Sequence, residues 1–437
     1  KRQVTAVYLP IAKYSAEIED ISLDELKSSL MEGQAIVPQT EKANLAKFFS
    51  IGNEEITAVA DNELLASVMN GKATIGVIPF FSADPAYKTL AVNGKYLWDS
   101  DLADYPLKLK IEISSADNYK EFIPTKVISL ISIGDVILGR NVAAKMRTYG
   151  DYTHPWLKMA EAIKNADITY ADLEVPLSDR VSPPLEGMSF VAPTKSIEGL
   201  KLGGVDIVSL ANNHSTNFGL AVFEDSLKTL EGAGIIYTGG GRNLSEAKDA
   251  KIIEVKGTKV AFLSANAIIG AIGATEDRAG TFEFALKPWA KSDSEDDARE
   301  IEKLISEIRK TVDIVVVGFH WGVEYETKQI PSQTNLGRRA VEAGADLVIG
   351  THPHTVQGIE KSKDSMIFYS LGNFIFDQEW SIETKQGFFT KSYFYDGTLV
   401  ASPISTYQIE DYNQPRPATE KEDRQIKNRL FSVSVGL

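Results

Sequence analysis

The chain has 437 residues, 43% hydrophobic and 24% charged, a globular composition long enough for two or three cores. A formal net charge of -14 argues against sequence-independent binding to nucleic acid or anionic lipid. With no cysteine, disulfide, thiolate-zinc, iron–sulfur and cysteine-nucleophile chemistries are closed.

In chain order, residues 4–9 read as a strand, and residues 22–32 as an amphipathic helix opened by a serine cap. Residues 62–70 read as a second helix stopped at Gly71, and residues 73–81 as a buried strand. Residues 86–98 carry a hairpin signal, Asn93-Gly94 between apolar flanks. Together, residues 1–125 form a small α/β domain whose pattern is similar to half of a periplasmic solute-binding domain. Residues 114–124 are polar and read as a linker. From there to 437 the pattern is strand then helix, repeated. Strands are expected at 127–133, 168–173, 205–210, 235–238, 252–265, 313–319, 346–349 and 367–370, with helices at 221–232, 296–310 and 335–344. Continuous apolar strands alternating with amphipathic helices imply an α/β fold with helices covering the sheets. The chain starts Lys1-Arg2-Gln3 without methionine, and no apolar run approaches the ~20 residues of a membrane helix. Any signal or anchor is therefore expected upstream of Lys1.

The polar residues sit where the strands end. Asp135, Asp172 with Glu174, Asn212-Asn213-His214, His320, and His352 with His354 each close an apolar strand. Open α/β sheets bind ligands beyond the carboxyl ends of their strands, so these groups converge if the strands are parallel. Four of the five histidines fall at such positions; His154, beside Pro155, reads as structural. On an extended segment His352 and His354 would point the same way and share an ion. Carboxylate, amide and imidazole ligands without thiolate favour manganese, iron, zinc or magnesium, and do not separate them. A histidine beside a ligating asparagine, as in Asn213-His214, suits the role of a hydrogen-bonding acid near a leaving group. Arg140 at a strand-to-helix turn is a candidate for a phosphate or carboxylate. Trp321, Glu324 and Tyr325, close to His320, are candidates for a substrate rim, with aromatic packing the more common outcome, and Asn373 is a candidate for orienting a site histidine. The glycines at 239, 240 and 241 lack a following GK[ST] and read as a turn, not a phosphate loop.

The succession Gly134-Asp135-Val136-Ile137-Leu138-Gly139-Arg140, Ala171-Asp172-Leu173-Glu174, Leu210-Ala211-Asn212-Asn213-His214, His320-Trp321-Gly322-Val323-Glu324-Tyr325, Gly350-Thr351-His352-Pro353-His354 with Gln357, and Ser370-Leu371-Gly372-Asn373 resembles the poly-γ-glutamate capsule synthesis family (CapA). The resemblance covers residues 126–429. It implies a calcineurin-like metallophosphatase fold: a two-sheet sandwich flanked by helices, here with the smaller N-terminal α/β domain. It also implies metal ligation by Asp135, Glu174, Asn213, His320, His352 and His354, with His214 catalytic and Asp172 close by. Two positions depart from the phosphoesterase pattern: Ile137 stands where a histidine two residues after the first aspartate is usual, and Glu174 where an aspartate bridges. The function implied is an exported, membrane-associated component of poly-γ-glutamate or capsule synthesis with a metal-dependent hydrolase site. The alternative is a non-catalytic export or anchoring protein that keeps the ligands. Expected partners are an anionic polymer or phosphoester-type substrate and membrane components of the capsule synthase, with no nucleic acid.

Overall fold

The structure is a computed structural model that describes residues 2–114 and 119–437, so part of the expected linker lies outside the described residues. The chain divides into two compact units: residues 1–128 with 393–403, and residues 129–392 with 404–436. Residues 393–403 thus join the first unit although they follow position 126, where the sequence placed the second. Their hairpin, Tyr393 opposite Ala401, carries Tyr393 and Val400 into the first unit's apolar core.

In the first unit, the strand Arg2–Lys13 pairs antiparallel with Ile75–Pro79, Tyr87–Thr89 and Lys108–Ile113. Ala35–Pro38 adds parallel to Ile75–Pro79. The helix Leu23–Met31 starts where expected because Ser22 and Glu25 form a reciprocal capping box. The hairpin expected at 86–98 is reduced to one antiparallel pair, Val92 with Lys95, bonded both ways at 2.9 and 3.0 Å. Asn93 and Gly94 make its tight turn with positive φ, and Ala91–Val92 pairs with Asp20–Ile21.

The second unit stacks two sheets. One places Ile236–Thr238, Ile207–Ser209, Ile168–Leu173 and Val127–Val136 side by side, all parallel. It continues through Gln386–Tyr395, Ile404–Glu410 and Gln414–Pro417. The other orders Lys251–Val255, Thr258–Asn266, Ile314–His320, Leu347–Thr351, Ser365–Phe368 and Ile359–Ser362, parallel through its centre. The single strand expected at 252–265 is a hairpin: Lys256 and Gly257, both at positive φ, turn the chain between two strands. The central strands are buried almost along their whole length because both of their faces are covered. The sheets meet where Tyr170 stacks on Phe262 with ring centroids 5.8 Å apart and its hydroxyl lies 3.2 Å from Ser264 Oγ. Gly318 permits this approach, since a Cβ there would stand 2.1 Å from the Tyr170 hydroxyl. The fold is the α/β metallophosphatase-like sandwich that the motifs imply. No helix among the described residues is long and apolar enough to cross a membrane.

Candidate metal centre

Parallel strands in register bring their carboxyl ends to one place. Asp172 stands beside Asp135 on one side and Ser209 on the other, and His320 stands beside Thr351. Beyond these ends lie two groups of ligand atoms, each mutually within 4.8 Å: Asp135, Asp172, Glu174 and His320, and Glu174, His352 and His354. Glu174 belongs to both, the place a bridging acid takes. All six residues are buried.

Individual contacts separate orienting groups from free ones. Asp172 Oδ2 lies 2.9 Å from His320 Nδ1, and Asn212 Nδ2 donates to Asp172 Oδ1 at 2.9 Å. Both oxygens of Asp172 are thereby engaged, and it fixes the His320 ring as carboxylates do for ligating histidines. His320 Nε2 faces inward, 2.8 Å from Asn213 Oδ1 and 3.5 Å from Glu174 Oε1. Asp135 accepts the His352 backbone N–H at 3.3 Å and stands 3.1 Å from His354 Nδ1. Asn373 Oδ1 lies 2.8 Å from the same His354 nitrogen, which places it as an orienting residue. A Cβ on Gly134 would stand 1.9 Å from the Gly372 carbonyl, so a glycine there lets the Asn373 segment run beside Asp135. His352 and His354 have φ of 94° and 59°, in the left-handed region. They reach one site through a strained turn rather than the extended segment expected from their spacing, at a cost of ~1–3 kcal/mol each.

Both carboxylate oxygens of Glu174 and both ring nitrogens of His352 are buried without a hydrogen-bond partner. Such groups cost about 1–3 kcal/mol each, more when charged, and a cation between them would satisfy both. The donor set of carboxylate and imidazole suits a hard or borderline divalent ion. These buried groups could therefore hold a metal ion.

The electrostatics agree. Burial raises the Glu174 carboxyl to about 7, helped by Asp135 and opposed by His320 and His354. Burial lowers His320, but Glu174 and Asp172 outweigh it and raise the imidazole to about 10. His354 is likewise raised to about 9 against its burial, by Glu174 and Asp135. His352 is pushed well below 6.5 by burial and by its neighbouring histidines. Protons on His320 and His354 thus hold the carboxylates together where a cation would otherwise do so.

His214 stands at the edge, its Nε2 3.9 Å from Glu174 Oε1. Its Nδ1 lies 3.0 Å from Asn217 Oδ1, which also accepts the Phe190 backbone N–H. That oxygen can only accept, so Nδ1 carries the proton and Nε2 presents its lone pair toward Glu174. Burial lowers His214 to about 3 despite the Asn217 bond, keeping the ring neutral. In this state His214 can accept a proton rather than donate one.

Three expectations are corrected. Arg140 is not open to a phosphate: its Nε donates to both Asp377 oxygens at 3.1 and 3.2 Å, its Nη2 also pairs with Asp377, its Nη1 donates to Gly187 O, and it lies between Phe190 and Phe376. Trp321 is no rim residue. It is fully buried, stacks on Phe319 and Tyr369, and donates to Tyr369 O at 3.0 Å. The glycines at 239–241 are more than a turn, since Gly240–Gly241 pairs with Gly280–Thr281. Glu324 is half-buried beside Tyr325 and outside both ligand groups. His154 is structural, 3.1 Å from Asn413 Nδ2 and packed on Tyr149.

Sequence reasoning passed over Asn212. Its amide nitrogen holds Asp172 and Leu173 O, and its oxygen accepts the backbone N–H groups of His214 and Ser215. One buried amide therefore fixes both the orienter of His320 and the turn that carries His214. A second asparagine beside a ligand candidate was the available signal. Asn217, three residues after His214, was missed likewise.

The model of the family described as bacterial capsule synthesis protein PGA_cap matches residues 129–378. The capsule biosynthesis protein CapA of Bacillus anthracis is 30% identical over 310 residues, 70% of this chain and 72% of that protein. The PGA biosynthesis protein CapA of Bacillus subtilis (strain 168) is 30% identical over 270 residues, 58% of this chain and 65% of that one. Among solved structures, a hypothetical protein from Thermus thermophilus aligns with 65% of this chain and all of its own at 17% identity, with a TM-score of 0.41. The matched span holds every ligand candidate from Asp135 to His354, and the chain belongs to the PGA_cap family of bacterial capsule synthesis proteins.

Proposed function

We propose that the protein acts outside the cytoplasm in the synthesis of a capsule or poly-γ-glutamate polymer, as a metal-dependent phosphoesterase-type hydrolase. The observation that carries the reading is the pair of unpartnered, buried ligand groups, Glu174 and His352, inside a ring of Asp135, His320 and His354. Glu174, His320, His352, His354 and Asp135 would hold divalent ions, with Asn213 at the rim. When bound, such ions supply Lewis-acid polarisation and neutralise developing negative charge. The chain's own groups do the rest. Asp172 and Asn373 fix the imidazoles of His320 and His354, and His214 presents its neutral Nε2 toward Glu174. Family membership and the CapA relatives support the polymer context; membrane components of a capsule synthase are the partners this reading expects.

A non-catalytic role in export or anchoring is favoured by one residue. Ile137 is fully buried where phosphoesterases carry a further histidine, so that ligand is missing. The two readings separate in one experiment. Protein stripped of metal and reloaded with manganese or zinc is assayed for cleavage of phosphoesters and γ-glutamyl bonds. The hydrolytic reading expects turnover that is lost in His214→Ala while metal content is kept. Metal uptake without turnover on either bond type would favour the non-catalytic reading.

A further inference from the structure

Large apolar side chains stand exposed on the loops that surround the metal centre. Leu185 and Ile269 are 58% and 65% exposed, and Trp380 is 59% exposed; Met188, Phe218 and Tyr325 are exposed as well. All but Leu185 adjoin a site contact, and Leu185 lies two residues before Gly187. Gly187, beside Met188, accepts from Arg140, which lies over Phe190, and Phe190 packs on His214 at 4.4 Å. Phe218 follows the Asn217 that holds His214. Ile269 precedes Gly270, where a Cβ would come within 3.6 Å of the Asn213 carbonyl. Tyr325 faces His354 at 6.3 Å, and Trp380 packs edge-on against Tyr325 at 6.0 Å. Singly exposed apolar residues are ordinary, but a set gathered round one polar site marks a binding surface.

The charges of the same loops argue about what binds. Arg140 is paired with Asp377, Lys385 with Glu379, and Arg180 with Asp225. Glu186, Glu276 and Asp277 are exposed there. A long polyanion lying across these loops would meet apolar groups, carboxylates and cations already neutralised, save Arg278, which is exposed and donates to Gly273 O at 2.8 Å. A ligand with one anionic head and an apolar body meets cations at the centre and hydrocarbon at the rim.

We propose that the site takes a phosphate-headed lipid, a phosphate monoester of an acyl or isoprenoid chain, with its head at the Glu174–His352 centre and its chain across the Leu185, Ile269, Tyr325 and Trp380 rim. This rests on the metal-centre reading above. Because the protein is acidic, the head must be recognised through the bound ions and not through surface charge.

The test uses the full chain loaded with manganese and sedimented with phosphatidylcholine vesicles containing a minor fraction of phosphatidic acid. Binding is expected with phosphatidic acid, not with phosphatidylcholine alone, and is released by chelator. The triple variant Leu185→Ser, Ile269→Ser, Trp380→Ser is expected to bind these vesicles ~10-fold or more weakly, since burying even one large apolar side chain suffices for that. Its manganese affinity, read by calorimetry, is expected to be unchanged, which also reports that it folds. Vesicle binding that survives in the triple variant overturns the inference, as does manganese uptake without any vesicle binding. No manganese uptake at all would instead remove the metal-centre reading on which it stands.

Discussion

The two units treat buried polar groups in opposite ways. In the first, buried tyrosines find partners within the unit: Tyr8 donates to Glu41 at 2.6 Å, Tyr105 donates to Tyr8 O at 2.8 Å, and Thr89 and Tyr96 share a hydrogen bond of 2.6 Å. Polar groups left over there, such as Trp98 Nε1, are neutral. In the second unit the leftover groups include neutral ones such as Trp156 Nε1 and the Tyr407 hydroxyl, but also a carboxylate and an imidazole, Glu174 and His352, side by side at the ends of parallel strands. Paired buried polarity specifies a core; unpaired buried charge awaits a ligand. The difference teaches where to look for chemistry in a chain whose two halves share an α/β character.

Substitutions can sharpen that contrast. The largest effect is expected at Glu174, which lies in both ligand groups. Glu174→Ala should weaken manganese binding beyond the ~100-fold that loss of an orienting partner reaches. Asn212→Ala, which frees Asp172 without removing a ligand, should fall within the ~10–100-fold range of such partners. Calorimetric titration of both variants tests the ranking, and equal losses would break it.

Proton linkage gives the next effect. The raised values of His320 and His354, about 10 and about 9, mean the folded, metal-free protein holds protons that the unfolded chain releases near 6.5. Their contribution to stability is complete below 6.5 and is lost as pH rises through 9 to 10. Chelated protein should therefore show a Tm that falls between pH 8 and 10, a window chosen because Glu174, raised to about 7, has largely titrated by its start. Manganese-loaded protein should show a flatter curve, and loading should release protons. A chelated Tm that rises over this window would contradict the assignment.

The smallest effects have opposite signs in the two units. His352→Leu removes unpartnered nitrogens and should stabilise the metal-free protein by ~1–3 kcal/mol. Tyr8→Phe removes a made hydrogen bond and should destabilise it by ~1 kcal/mol. Denaturant unfolding of each measures both, and a loss of stability in both would erase the distinction.

Much of this was legible locally. Asp135, Asp172, His320 and His352 could be placed together because apolar strand runs and the residue that ends each run are short-range patterns, and parallel register does the rest. Most of what escaped depends on groups distant in sequence. Arg140 meets Asp377 across 237 residues, so nothing near Arg140 foretells that its charge is spent. Trp321 follows a ligand candidate directly yet turns into the core, because successive side chains at a strand end face opposite ways. Lys256-Gly257 sits in a largely polar stretch, Glu254 to Lys259, between two apolar runs, a turn signal that was passed over, and the left-handed turn at His352 and His354 replaces the extended geometry that their spacing suggested. Residues 393–403 reach the first unit through a pairing that no local signal announces.

The most direct test is an anomalous-difference map from crystals grown with manganese and measured above and below its absorption edge. The account places a peak within coordination distance, ~2.0–2.3 Å, of a Glu174 carboxylate oxygen, with His352 or His320 as a further ligand. Manganese bound elsewhere, with Glu174 and His352 holding only each other or water, would contradict it.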